Sequence, residues 1–150
     1  MMNNIGMHLT LVALEVFVAL TSIACGVSLA IGVVQLPLAW LAGTAFSDYT
    51  IPGLLMAIII GGSSLLAAAT VFTGREGSAV VSALAGLLLM GCEVAEIVGI
   101  DRNLGNWLPL VVLLQSIYSL ISLTIIGLAA SLWMTKYHYQ HFHPRHVSHT

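Results

Sequence analysis

The stretch "AVVSALAGLLLMGCEVAEIVGI" (Ala79 to Ile100) decides the fold. Apart from Ser82, Glu93 and Glu96 it offers almost nothing polar, and a helix needs about 20 such residues to cross a bilayer. Three more stretches have the same character: Leu9 to Val34, Ile51 to Phe72, and Trp107 to Trp133. The composition agrees, with 59% hydrophobic and 7% charged residues, a net charge of -2 and a mean hydropathy of +1.02. Soluble domains carry about 25% charged residues. A water-soluble globule of this composition would expose large apolar patches and aggregate.

Lipid is therefore the expected solvent. In lipid every backbone polar group needs an internal partner, so each span should be helical. The runs lack the strict alternation of barrel strands. The expected fold is all-α, a polytopic membrane protein with a four-transmembrane-helix bundle over residues 1–135 and a His-rich cytoplasmic tail over 136–150.

The breaks between spans carry turn chemistry. "TGREGS" (Thr73 to Ser78) and "DRNLGN" (Asp101 to Asn106) are short and rich in glycine and charge. Spans two and three, and three and four, should be antiparallel neighbours. "QLPLAWLAGTAFSDYT" (Gln35 to Thr50) is too apolar for a free loop and too interrupted to span. It reads as an interfacial segment between helices 1 and 2, with Trp40 and Tyr49 at headgroup level.

Four spans put both termini on one side, together with Arg75, Lys136 and Arg145, while Arg102 lies opposite. Positive residues favour the cytoplasm, so both termini are expected inside a bacterial plasma membrane. "SIACG" (Ser22 to Gly26) loosely matches a lipoprotein cleavage box. The preceding "MMNNIGMH" has no Lys or Arg, however, so cleavage is not expected.

Few residues here carry chemistry. Four permanently basic residues exclude a nucleic-acid partner. Cys25 and Cys92 lie in apolar runs without a C-x-x-C, so neither a disulfide framework nor a zinc site is indicated. No cofactor is implied, and no catalytic group stands out. The expected partners are the lipid bilayer and either further copies of the chain or an unknown membrane protein.

What remains is a set of polar residues inside the spans. Glu93 and Glu96, three apart, share one helical face. Gln115 reaches a similar depth on the fourth span, and Tyr118, Ser119 and Ser122 continue its polar stripe. Glu93, Glu96, Gln115 and Tyr118 are therefore expected to meet in the interior, because membrane carboxyls seek partners or take up a proton. Arg102 lies within reach of Glu96. The cluster reads first as an interhelical clamp and second as a proton, cation or ligand site. The corresponding functions are a structural or accessory membrane protein, and alternatively a proton-coupled transporter or channel. A thiol-linked redox protein would need a cysteine pair that is missing.

Small residues recur every four positions at Ser22, Gly26 and Ala30, and at Ser78, Ser82 and Gly86, with "GGSS" at Gly61 to Ser64; all suggest close packing. In the tail, His138, His141 and His143 have spacing that can hold a metal, but a solvated tail is the simpler expectation, and Pro144 argues against a continuous helix.

Two resemblances add to this reading. "ALEVFVALTS" (Ala13 to Ser22) is similar to the first helix of small multidrug resistance transporters, which implies a proton- and cation-binding role for Glu15. "LPLAWLAGTAFSDYTIPGLLMAIIIGGSSLLAA" (Leu36 to Ala68) resembles an uncharacterised family of small bacterial four-helix membrane proteins. Its S/T-x-F-x-D-Y/F-x-x-P-G-L junction is matched by Thr44, Phe46, Asp48, Tyr49, Pro52, Gly53 and Leu54. The resemblance implies the four-helix fold and no activity. In physical terms, Asp48 or Thr50 suits a helix cap and Pro52 suits a first turn.

Overall fold

The computed structural model describes residues 2–100 and 108–142, with side chains described over 5–98 and 109–135. Four long helices account for it: α1 (Met2–Ala30), α2 (Thr50–Phe72), α3 (Ser78–Ile100) and α4 (Leu108–Phe142). Each contains a segment long and apolar enough, by length and composition, to cross a membrane, as a multi-pass membrane protein requires, and the fold is all-α. Among the described residues there is no strand.

The helices pack in chain order around a ring, α1 on α2, α2 on α3, α3 on α4, and α4 back on α1. α1 and α3 are thus diagonal. The interior is small and tight, centred on Leu11, Val18, Ile60, Val71, Leu89, Ile125 and Leu132. Leucines, valines and isoleucines cover the outside, among them Leu20, Ile58, Leu66, Leu84 and Leu120. Outward hydroxyls are bonded within their own helix: Thr21 donates to Phe17 O at 2.9 Å, Ser116 to Val112 O at 2.7 Å, and Thr124 to Leu120 O at 2.7 Å. In an apolar solvent this satisfies a donor that water would otherwise take.

Helix ends follow their sequence. Gly74 adopts φ +63°, its N–H bonds Val71 O at 3.1 Å, and the Arg75 N–H bonds Thr70 O at 3.1 Å. This paired closure with a left-handed glycine ends α2 and turns the chain into α3. Gly32 (φ +74°) ends α1 in the same way, through Gly32 N to Leu29 O and Val33 N to Ser28 O.

The α1–α2 connection is an ordered segment. A 3₁₀ turn (Leu38–Leu41) packs against α3 and buries Trp40 and Leu41. The turn folds Trp40, expected at headgroup level, onto the bundle, where it is buried. Tyr49 remains half-exposed and donates its hydroxyl to Pro37 O at 2.9 Å, while burial pushes its phenol pKa up from the ordinary value. Asp48 Oδ1 accepts the Thr50 N–H at 2.9 Å at the start of α2. Thr44 Oγ1 donates to Leu41 O and accepts the Phe46 N–H.

α2 is not uniformly α-helical. Thr50–Leu55 and Gly62–Phe72 are α, and Met56–Gly61 between them is π-helical. The π turn faces α1 with Ala57, Ile60 and Gly61 buried. α4 runs unbroken through Thr135 to Phe142, beyond the end at Trp133 read from hydropathy. His138 and His141 therefore lie on its last turns; the side chains of both, and His143 altogether, fall outside the described residues, as does Arg102.

Candidate functional site

Glu15 lies at the centre of the bundle. Leu11, Val18 and Ser22 flank it one and two turns away on the same face of α1, and all are buried. Its side chain is fully sealed, at 0% exposure. The side-chain group it faces is Ser82 of the diagonal helix α3. The pair does not reach hydrogen-bond geometry: neither Glu15 carboxylate oxygen, nor Ser82 Oγ, has a hydrogen-bond partner. Buried polar groups are nearly always bonded, so three orphaned oxygens at one place need an explanation.

Glu93 is the second interior acid. It is 8% exposed, with Oε2 sealed and unpartnered. Ser82 and Glu93 are eleven positions apart on α3, which is about 20° in helical phase and about 16 Å along the axis. Glu15, level with Ser82, and Glu93 therefore sit at different depths of the interior, on diagonal helices.

Glu96 differs from expectation. It lies on the exposed side of α3 rather than in the interior. Helical phase alone does not explain this. Beyond Glu93, no described residue of α3 is buried, and α4 has none between Pro109 and Ile121. The halves of these helices nearest the α3–α4 connection give each other too little cover to enclose a second acid. Gln115 and Tyr118 are half-buried, with the Tyr118 ring packed on the core. No hydrogen bond links either of them to Glu93 or Glu96 among the described residues.

Serines fill the rest of the interior. Ser22, Ser64, Ser82 and Ser122 are each at most 1% exposed, and each comes from a different helix. Ser122 donates to Ser119 O at 2.9 Å and lies 3.8 Å from Met90 Sδ. The sequence marks Ser22, Ser64 and Ser82 as packing residues and Ser122 as part of the polar stripe of the fourth span; nothing in the linear order says that they converge. His8 was missed altogether. It is half-buried two turns before Glu15 on the same face of α1, about 10 Å toward the N-terminal end.

The junction residues serve structure. Gly53 packs backbone to backbone on Gly26, and Asp48 and Tyr49 hold the entry to α2. Among the described residues no group of three or more His, Cys, Asp or Glu is placed to hold a metal ion. Cys25 and Cys92 are free thiols on the outside of the helices. No protein-family profile, curated protein or solved structure matches the chain.

Proposed function

We propose that this chain is a small proton-handling protein of the bacterial plasma membrane, with both termini in the cytoplasm, and that Glu15 is its principal proton-binding group. One observation carries the reading: a fully buried carboxyl in the bundle centre whose two oxygens lack any protein partner. A charged carboxylate there would cost several kcal/mol. A proton is the partner that this packing accommodates. A clamp that merely fixed helix pairing would be expected to satisfy its own oxygens, and Glu15 and Glu93 do not. The orientation is supported by Arg75, Lys136 and Arg145 on one side against Arg102 on the other.

Reconstitution tests this. Vesicles containing the protein and a pH-sensitive dye should show proton flux under an imposed pH gradient, and Glu15→Gln should lose it. A second reading, a structural or accessory membrane protein, is favoured by the sealed interior and the backbone contact between Gly26 and Gly53. Absence of flux in the unmodified protein would leave that reading standing and remove the first.

A further inference from the structure

We infer that the interior serines form a proton-conducting column joining Glu15 to Glu93, so that the species moved is the proton and not a larger ion. The inference rests on the reading of Glu15 as a proton site.

The column follows from axial levels. Ser82 faces Glu15, which sets α3 against α1. Gly61 of α2 packs on Ala19 and Ile23, so Ser64, one turn further along, comes level with the segment of α1 just outward of Glu15. Ser22 lies about 10 Å outward of Glu15 on α1. Ser122 is beside Gly86 and Met90 of α3, hence between Ser82 and Glu93. Met90 is one turn short of Glu93, about 4.5 Å along the axis. Hydroxyls thus occur at successive levels over the roughly 16 Å separating the acids. A hydroxyl both donates and accepts, so each can pass a proton by taking one and releasing another.

Packing selects the ion. Glu15, Ser82 and Ser122 are fully buried, and Ala85 and Leu89 are nearly so. A metal cation, bare or hydrated, needs an opening that these contacts deny. A proton needs no such opening, only a transient hydrogen-bonded path, which requires Ser122 to turn from Ser119 O and Ser82 to engage Glu15. The transfer is balanced: a carboxylic acid gives its proton to a hydroxyl oxygen, and that hydroxyl's own proton passes to the next acceptor. His8 occupies the same face of α1 toward its N-terminal end and is half-buried.

The test uses full-length protein in phosphatidylethanolamine–phosphatidylglycerol vesicles containing a pH dye, with potential set by potassium and valinomycin. Variants are Glu15→Gln, Glu93→Gln, Ser64→Ala, Ser122→Ala and the matching Ser→Thr pair, each checked for helical content and monodispersity. Both glutamine variants should reduce flux roughly tenfold or more. Each alanine variant should reduce it at least about threefold, and threonine should restore it. Using serines on two helices guards against one variant failing to fold. If Glu15→Gln abolishes flux but Glu93→Gln and both alanine variants leave it intact, the column is overturned while the Glu15 reading survives. If the unmodified protein moves sodium as readily as protons, the selection by packing is wrong. If it moves no protons, both readings fail.

Discussion

Gly26 of α1 and Gly53 of α2 face each other so closely that a Cβ built on either would lie 2.5 Å from the other's carbonyl oxygen. The clash is with backbone, which cannot swing aside. Gly26→Ala or Gly53→Ala should therefore force the two helices apart and cost about 1 to 3 kcal/mol. Gly127→Ala, where nothing lies within 4 Å, should be neutral or slightly stabilising. Unfolding of the purified protein in increasing denaturing detergent, followed by circular dichroism, compares the three. Equal stability of Gly26→Ala and Gly127→Ala would contradict the close approach.

The π turn Met56–Gly61 carries a second expectation. Such turns act as a one-residue insertion in an α-helix. Deleting the outward-facing Ile58 should let α2 close into continuous α-helix, leaving Gly53 and Gly61 near their present contacts. Deleting Leu66, also outward but within regular helix, should rotate one half of α2 by about 100° against the other and misplace its buried face. Expression and detergent stability should survive the first deletion better than the second. The reverse order would argue that the π turn holds no spare residue.

Glu15 predicts a sharp contrast among its substitutions. Gln keeps the shape and carries no charge, so Glu15→Gln should stay within about 1 kcal/mol of the parent in stability. Glu15→Lys places an unpaired cation at the same dry position and should cost about 3 to 5 kcal/mol, enough to prevent accumulation of folded protein. Glu96→Lys, on the exposed side of α3, should be tolerated far better. Yield of monodisperse protein ranks the three. A well-folded Glu15→Lys would mean that water reaches the bundle centre.

Much of this architecture was legible because single residues dictate it locally. The glycine and charge of "TGREGS" give the turn closed by Gly74, and the small residues at Ser22, Gly26 and Ala30 mark the face of α1 that meets α2. The π turn was not legible, since "MAIIIG" reads as uniform apolar helix and its winding is set by what α1 presents. Glu96 and Glu93 look equivalent in sequence. Only the extent to which α4 covers α3 separates a sealed acid from an open one. The serines of four helices converge through tertiary packing, a relation that periodicity within any one helix does not contain. Trp40 likewise has a signal for amphipathic placement but none for the 3₁₀ turn that folds it inward.

The native thiols allow insertion and orientation to be tested together. Cys25 and Cys92 are exposed on the isolated chain, yet both lie within candidate spans, so lipid should cover them in the membrane. A charged maleimide added to intact cells should leave both unlabelled, and solubilisation in mild detergent should raise their labelling. Arg75, in the α2–α3 turn, is exposed and outside the spans. In an Arg75→Cys variant, the reagent should label position 75 only after the cells are opened, because Lys136 and Arg145 on the same side still favour the cytoplasm. Ser47→Cys, exposed in the α1–α2 connection, should label from outside without permeabilisation. Labelling of position 75 alone in intact cells would invert the orientation and leave the four-span fold intact. Labelling of Cys25 and Cys92 in intact membranes would place those helix faces in water and count against the bilayer as their solvent.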